Sequence, residues 1–490
     1  MTKIHVVDRF GVIDIGSNSV RLVVFEGANR SPSYFYNEKV LCGLGIGLAS
    51  SGVLNPDGRK RALATLKRFQ LLTERMHLTK LRIVATEAVR RAKDGPDFCA
   101  QVKDMTGLVV DVISGREEAS LSAQGVLLSN PKARGLICDI GGASMELGVL
   151  DQSKIGLTKS SHLGPMSIQA LVQDGADEKK IIKEGVQALS ADFEQKAEMI
   201  YLIGGSWRAI AILDMIRTDY PLHVLHEYEP ELLGLKETLK LVSEGGLLSL
   251  AEGTSISSRR LNLLPVAARV LLTLLDALGP KRMRFSSFGL REGVLYNELS
   301  KEARAKDPLI EAARAEESAR ARFPGFGDAL FDWLKPLFTE KPTETLRLIR
   351  AACLLHDVHW TSHPDYRAEV CFDAATHTNL SGLDHRGRVF LAWVLMNRYK
   401  PRGLTRTYID VEGLISEEDQ KLAYAVGLAI RLGAMMSSAD PAHMGRLRLS
   451  ETALSIELPA DSAALFGEVV EKRFNALADA LGRQPELTYT

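Results

Sequence analysis

From residue 10 to about residue 300 the chain alternates between two hydrophobic periodicities. Short β-branched and aliphatic runs are followed by longer stretches in which apolar residues return every three to four positions. The first pattern fits buried or half-buried strands and the second fits amphipathic helices. Strands are expected at Gly11–Ile15, Val20–Phe25, Leu81–Ala85, Leu108–Ile113, Leu136–Ile140, Glu146–Leu150, Met199–Ile203 and Arg282–Phe285. Helices are expected at Pro56–Met76, Pro96–Met105, Arg116–Ser129, Glu178–Lys196, Ser206–Met215, Leu233–Glu244, Leu263–Leu278 and Arg291–Ala303. Such interleaving predicts α/β layers.

From about residue 304 the pattern changes. An Ala/Arg/Glu-rich stretch, Arg304–Arg322, runs into the turn or linker Pro324-Gly325 and then into helices with few strand signals. Leu447–Leu449 and Ser455–Leu458 read as short strands before a helix at Ser462–Leu481. The expected organisation is a lobe at 1–130, a second lobe at 131–304, and a mainly helical domain at 305–490.

The first two lobes share an internal repeat. Gly11-Val12-Ile13-Asp14-Ile15-Gly16-Ser17-Asn18-Ser19 resembles Leu136-Ile137-Cys138-Asp139-Ile140-Gly141-Gly142-Ala143-Ser144, at a constant offset of 125 residues. Each copy reads strand, Asp, Gly/Ser turn, strand. Turn amides and hydroxyls can converge on a phosphate, and glycine lets the backbone approach closely. The Asp at each strand end can hold Mg²⁺ directly or through water. A lone Asp at such a turn more often braces it. Two in matched positions, with Glu146 just beyond Ser144, favour ligand chemistry. Two hairpins of one design suggest two like-folded lobes with their turns facing one cleft.

These residues resemble the exopolyphosphatase and guanosine pentaphosphate phosphatase family, within the actin, sugar-kinase and chaperone-ATPase superfamily. Asp14-Ile15-Gly16-Ser17-Asn18-Ser19 matches its first phosphate motif, and Asp139-Ile140-Gly141-Gly142-Ala143-Ser144-Met145-Glu146 its second. Ala85-Thr86-Glu87-Ala88-Val89-Arg90, Ile113-Ser114-Gly115-Arg116-Glu117-Glu118-Ala119 and Gly289-Leu290-Arg291-Glu292-Gly293 match three more, in order. Ala143 and Met145 depart from the family's Gly and Thr, which removes one hydroxyl from the second loop. The adenosine-contacting turn of the superfamily appears as Gly204-Gly205-Ser206-Trp207-Arg208, where a Trp and an Arg suit a polyanion. The resemblance implies two actin-like (ribonuclease H-like) lobes around a cleft and, after them, a helical HD-like C-terminal domain.

Ser114-Gly115-Arg116-Glu117 fits a helix-start capping box, which gives Glu117 a structural task. Glu118 is left to project elsewhere, and the catalytic glutamate of the family falls on it. Read without the resemblance, both are also acceptable solvated first-turn acids. The implied chemistry is metal-assisted hydrolysis of a phosphoanhydride, with Glu118 as general base. Asp14, Asp139 and Glu146 are the implied holders of Mg²⁺ or another divalent cation, and stimulation by a monovalent cation is compatible with this. Gly16, Ser17, Asn18 and Ser19, with Gly141, Gly142, Ala143 and Ser144, would cradle the phosphate. Arg90 is the first cationic candidate, because guanidinium matches phosphate bidentately. Arg260 matches a family arginine and is the second. A surface salt bridge is the alternative for either.

In the C-terminal third, Ala351-Ala352-Cys353-Leu354-Leu355-His356-Asp357 looks like the core of an HD-type metal phosphohydrolase helix. Residues 304–350 contain no His, so a degenerate HD-like domain is expected rather than a working metal site. His385–Ile409 carries Arg386, Arg388, Arg398, Lys400, Arg402 and Arg406 and no acid. It reads either as a solvated basic helix face or as a track for a long anionic chain.

Composition narrows the class. The chain has 490 residues, 46% hydrophobic and 25% charged, with 61 basic and 61 acidic residues. Zero net charge argues against a protein that coats nucleic acid. Five cysteines without a C-x-x-C pair fit a reducing, cytoplasmic location rather than a disulfide framework. The first residues carry no signal-peptide run. The most apolar segment, Leu263–Leu278, is interrupted by Arg269 and Asp276 and reads as a buried helix, so no membrane span is expected. The expected substrate is inorganic polyphosphate or, equally compatible with the motifs, guanosine pentaphosphate. A superfamily kinase or ATPase is disfavoured by the setting of Glu118, and a silent binding protein by retention of the acids. The resemblance also implies a homodimer.

Overall fold

The structure is a computed structural model that describes residues 9–26, 30–31, 33–193, 198–400, 410–436 and 441–490. The chain divides into two compact units, Met1–Ala305 and Lys306–Thr490. The first holds two five-stranded sheets of one topology. β1 (Arg9–Ile15), β2 (Ser19–Glu26), β3 (Ser33–Leu41), β4 (Lys80–Ala85) and β5 (Asp111–Val112) lie in the order β3-β2-β1-β4-β5. β6 (Arg134–Ile140), β7 (Met145–Asp151), β8 (Lys154–Ser161), β9 (Met199–Gly204) and β10 (Arg282–Ser286) lie in the order β8-β7-β6-β9-β10. β1 runs antiparallel to β2 and parallel to β4, and β6 does the same with β7 and β9. The repeat seen in the sequence is therefore a repeat of topology.

Alternation along β1 and β2 decides which core each side chain enters. Ile13, Ile15, Val20, Leu22 and Val24 pack into one cluster beneath the first sheet. Val12, Val23 and Phe25 point the other way and join Ile137, Tyr201 and Ile203 of the second sheet in a shared apolar layer. Two helices, Gly115–Ser129 and Leu290–Glu298, supply the rest of that layer through Ala123, Val126, Leu127, Val294 and Leu295. They pack closely. A Cβ on Gly125 would overlap the Gly289 backbone, and one on Gly293 would overlap the Leu121 carbonyl.

The edge strands β3 and β8 gave no sequence signal. Their side chains are half-buried or exposed on both faces, so pairing with β2 and β7 defines them, not apolar alternation. The strand expected at Leu108–Ile113 shrinks to Asp111–Val112, for the same reason. The helix expected at Glu178–Lys196 runs over Glu178–Ser190; residues 194–196 lie outside the described residues. The Leu264–Leu278 helix is core, and among the described residues no helix is long and apolar enough to cross a membrane.

The second unit is mainly helical. Its helices Pro308–Arg320, Thr343–Leu355, Arg367–His377, His385–Tyr399 and Glu417–Met436 are joined by a three-stranded sheet. β11 (Arg446–Leu449), β12 (Ala453–Leu458) and β13 (Gln484–Tyr489) lie in that order. The expected Ser462–Leu481 helix begins at Glu468. The basic stretch is neither a solvated face nor an open track where it is described, because the His385–Tyr399 helix is buried almost throughout. Arg386 pairs with Asp419 at 2.8 Å, and Arg388 is buried, donating to the carbonyls of Thr376, Thr378 and Leu380. Arg398 is buried, and Lys400 stands 3.7 Å from Glu369. Arg402 and Arg406 lie outside the described residues.

Gly293→Ala tests the close helix contact. The added methyl must push the two helices apart, at a cost of about 1–3 kcal/mol. The expected result is a lower melting temperature in calorimetry for the variant than for wild type.

Candidate active site

Each central strand ends in the same device. Asp14 and Asp139 are the penultimate residues of β1 and β6, and each is followed by a tight turn. Gly16 N–H donates to the Ser19 carbonyl at 3.0 Å and Gly141 N–H to the Ser144 carbonyl at 2.9 Å. The turn carbonyls are bound from behind. Ser17 O accepts from Gly45 N–H, Gly142 O from Met166 N–H, and Ala143 O from the Ser167 hydroxyl. A trans peptide is planar, with N–H opposite C=O. The amides of Asn18, Ala143 and Ser144 therefore point away from those partners, and these three residues line a cavity of about 540 Å³ between the two turns.

Of the residues singled out in the sequence, Asp14, Gly16, Ser17, Asn18, Ser19, Glu118, Asp139, Gly141, Gly142, Ala143, Ser144 and Arg260 line this cavity. Two do not. Glu146 is buried behind the wall and accepts the Ser160 hydroxyl at 2.8 Å. Arg90 is turned away from the cavity. It donates to the Ile113 carbonyl and to Glu87 at 2.6 Å, and approaches Glu118 at 3.4 Å. Its position beside Glu118 comes from the short helix Glu87–Arg91, which follows β4 directly. Trp207 is also displaced from the expected place, because it is fully buried in the second lobe's core while its neighbour Arg208 reaches the cavity.

The capping box at Ser114 is formed in full. Glu117 N–H donates to Ser114 Oγ at 3.2 Å, and the Glu117 carboxylate accepts from Ser114 N–H at 2.7 Å. Glu117 is thereby fixed, and Glu118, one residue on, is buried and faces the cavity.

Arg208, read in the sequence as suited to a polyanion, is joined at the cavity by cations to which the sequence reading gave no role. Arg21, Lys39, Arg208 and Arg291 line the cavity with Arg260. Strand register shows where the first two come from. Asp14 sits opposite Arg21, which sits opposite Lys39; in the other lobe Asp139 sits opposite Glu146, which sits opposite Ser160. The offset that aligns Asp14 with Asp139 aligns Arg21 with Glu146, so one position carries opposite charges in the two lobes. An Arg inside the apolar run of β2 was the available signal.

Burial raises the pKa of Asp14, opposed by Arg291 and Arg21, and raises that of Asp139, opposed by a hydrogen bond from Ser122 and by Arg208. Glu118 is pushed up to about 8, first by burial and then by the charge of Asp139. Glu146 is raised by burial and by Glu118 and Asp139. On the cationic side, burial and then Arg260, Arg21, Arg208 and Arg291 bring Lys39 down to about 8. Acids and bases each repel their own kind within one cavity. The donor set is hard oxygen, which suits Mg²⁺. Among the described residues no three His, Cys, Asp or Glu side chains converge as a closed cage. Mg²⁺ commonly takes one or two carboxylates and completes its shell with water and phosphate. Asp14 and Asp139 fit that mode, whereas Glu146 lies behind them.

The profile of the Ppx/GppA phosphatase family matches residues 23–302, and one described as "Exopolyphosphatase, C-terminal" matches residues 309–488. A guanosine-5'-triphosphate,3'-diphosphate pyrophosphatase of Aeromonas hydrophila is 24% identical over 360 residues, 71% of this chain and 72% of its own. The crystal structure of the Aquifex aeolicus Ppx/GppA family member superposes with a TM-score of 0.51 at 27% identity, covering 60% of this chain and 99% of its own. An exopolyphosphatase from Cytophaga hutchinsonii shares the fold, with a TM-score of 0.53 at 23% identity over 59% of this chain and 97% of its own.

The raised Glu118 carboxyl has a measurable consequence for stability. The folded chain keeps a proton that the unfolded chain loses between pH 4.5 and about 8, so stability falls as pH rises across that window. Glu118→Gln, which cannot ionise, should stabilise the metal-free protein near neutral pH by about 1–2 kcal/mol and have no such effect near pH 4. Urea denaturation at both pH values checks this.

Proposed function

The chain belongs to the Ppx/GppA phosphatase family, and from that premise we propose that it removes the terminal phosphate of inorganic polyphosphate by attack of water. The observation that carries this reading is the meeting, in one cavity, of Glu118, the two phosphate turns and the five cations Arg21, Lys39, Arg208, Arg260 and Arg291. The turn amides of Asn18, Ala143 and Ser144 hold the terminal phosphate. Glu118 accepts a proton from water as the water oxygen bonds to phosphorus. The bridging P–O bond breaks, and the shortened chain leaves with the negative charge on its new terminus. The cationic wall stabilises that charge, as guanidinium does for phosphate. Asp14 and Asp139 would hold Mg²⁺, which when bound neutralises and orients the phosphate undergoing transfer.

A second reading is hydrolysis of guanosine pentaphosphate, supported by the name of the Aeromonas relative. Polyphosphate is preferred because, among the described residues, no aromatic side chain lines the cavity to stack a guanine. The match of the second unit to an exopolyphosphatase C-terminal profile points the same way. With this reading go a cytoplasmic location, which the cysteine usage fits, and a homodimer, which the family resemblance implies.

Phosphate release from long-chain polyphosphate and from guanosine pentaphosphate, with and without Mg²⁺, tests the proposal. Wild type should act on polyphosphate, and Glu118→Ala should lose about 10²–10⁴-fold in kcat. Release from neither substrate would sink the reading, and release from the nucleotide alone would favour the second. The geometry also separates two kinds of arginine. Arg208→Gln removes a wall cation and should raise KM about 10-fold or more. Arg90→Gln loosens Glu118 from behind and should lower kcat with KM little changed.

A further inference from the structure

Glu87 lines the catalytic cavity, yet the reaction proposed above gives it no task. It opens the short helix Glu87–Arg91 directly after β4, and the residue before it is tied to the end of β1, where Thr86 N–H donates to the Ile15 carbonyl at 3.1 Å. The Glu87 side chain is only 8% exposed. A carboxylate that far out of water needs a counter-charge. It finds Arg90, three residues on and on the same helix face, with Oε2 accepting from Nη2 at 2.6 Å.

The other oxygen meets the second lobe. His162 Nδ1 stands 3.0 Å from Glu87 Oε1, an atom that takes no aligned hydrogen bond. The chain on either side of His162 is pinned. The Ser161 hydroxyl donates to the Met145 carbonyl at 3.1 Å, and Leu163 is buried in the core of the second lobe. The imidazole itself is 66% exposed. Glu87 thus stands between a cation of its own helix and a ring delivered by the end of β8.

Arg90 has three claims on it. Its Nη2 is taken by Glu87, and its Nη1 donates to the Ile113 carbonyl. The same Nη1 lies 3.4 Å from Glu118 Oε2, longer than the usual N–H···O range. Without Glu87 the guanidinium loses its short partner. Glu118 then becomes the carboxylate within reach, because Glu117 is held in the capping box. A full pairing with Arg90 would occupy one oxygen of the base and lower its affinity for a proton.

We propose that Glu87 is a positioning residue: it draws Arg90 off Glu118, which leaves that carboxylate open to water, and His162 holds Glu87 to this task from the second lobe. The kinetic consequence rests on the hydrolase reading, whereas the placement of Arg90 does not.

Kinetics and crystallography of the full-length protein test this together. Glu87→Ala should lower kcat for phosphate release from polyphosphate about 10-fold and leave KM nearly unchanged. Glu87→Asp, which restores a carboxylate, should recover most of the loss. His162→Leu, at an exposed contact, should lower kcat about 2- to 5-fold. Neither Glu87→Ala nor His162→Leu should lower kcat further once Arg90→Gln is present, because both act through Arg90. A crystal structure of Glu87→Ala should show Arg90 closed onto Glu118 at about 2.8 Å. Glu87 is no positioning residue if Glu87→Ala keeps the wild-type kcat, or if its loss persists in full beside Arg90→Gln. A raised KM would make it a substrate contact instead and overturn the proposal equally. An unchanged kcat in His162→Leu removes the second lobe from it. Should Glu87→Ala not fold, Glu87→Gln, of the same shape without the charge, is judged by the same criteria. If wild type releases no phosphate, the hydrolase reading fails by itself, and an unmoved Arg90 in the variant crystal is the result that sinks this one.

Discussion

Two aspartates half-buried at the ends of central strands set the terms for everything around them. The backbones of Asp14 and Asp139 are fixed by the ladders of β1 and β6, and their partly exposed side chains line the cavity. A carboxylate held this way loses hydration that only nearby donors or cations restore. For Asp14 the relief comes from Arg291 at 3.7 Å and from Arg21 across the strand pair. For Asp139 it comes from the Ser122 hydroxyl and the field of Arg208. The cations that make the acids tolerable therefore stand at the cavity that a phosphate would enter. Removing them would leave the aspartates as partly desolvated charges without counterpart.

The balance of 61 basic and 61 acidic residues says nothing about where each charge stands. The two sheets resolve it. Identical topology gives equivalent positions, and the row after Asp14 reads Arg21, Lys39, whereas the row after Asp139 reads Glu146, Ser160. One equivalent position of the duplicated scaffold thus carries a cation, Arg21, in the first lobe and an acid, Glu146, in the second. On the reading proposed above, a terminal phosphate between the turns would meet Asp14, Asp139 and their proposed cation, and the rest of an anionic chain would meet the cations that line the same cavity.

Much of this was legible in the chain. Apolar alternation marked the central strands because their side chains are buried, and the Asp-Gly-Ser turns marked the cavity because two copies share one spacing. The S-x-x-E box separated Glu117 from Glu118 because a helix start has a fixed set of unmet amides. Edge strands β3 and β8 were silent, since their pattern depends on a neighbour and not on a core. Lys39 was hidden with β3, because only cross-strand register brings it beside Arg21. Arg90 was misplaced for a related reason. A guanidinium reads the same in sequence whether it faces a phosphate or the back of a carboxylate. In the C-terminal unit, the basic stretch looked like a surface because charge count alone was available; the buried His385–Tyr399 helix turns Arg388 and Arg398 inward.

The placement of Arg90 also bears on why Glu118 is suited to take a proton. A base in a full salt bridge would be too acidic to accept one from water. Arg90 is shared among the Ile113 carbonyl, Glu87 at 2.6 Å and Glu118 at 3.4 Å. Glu87 takes the short contact, so Glu118 receives orientation but only part of the charge. Burial and the field of Asp139 then outweigh Arg90 and hold the Glu118 carboxyl near 8. A cation at Asp14 and Asp139 would cancel the second of those effects, because the charge of Asp139 that disfavours the ionised base would be matched. On the reading proposed above, a cation held there would favour the carboxylate that water attack requires.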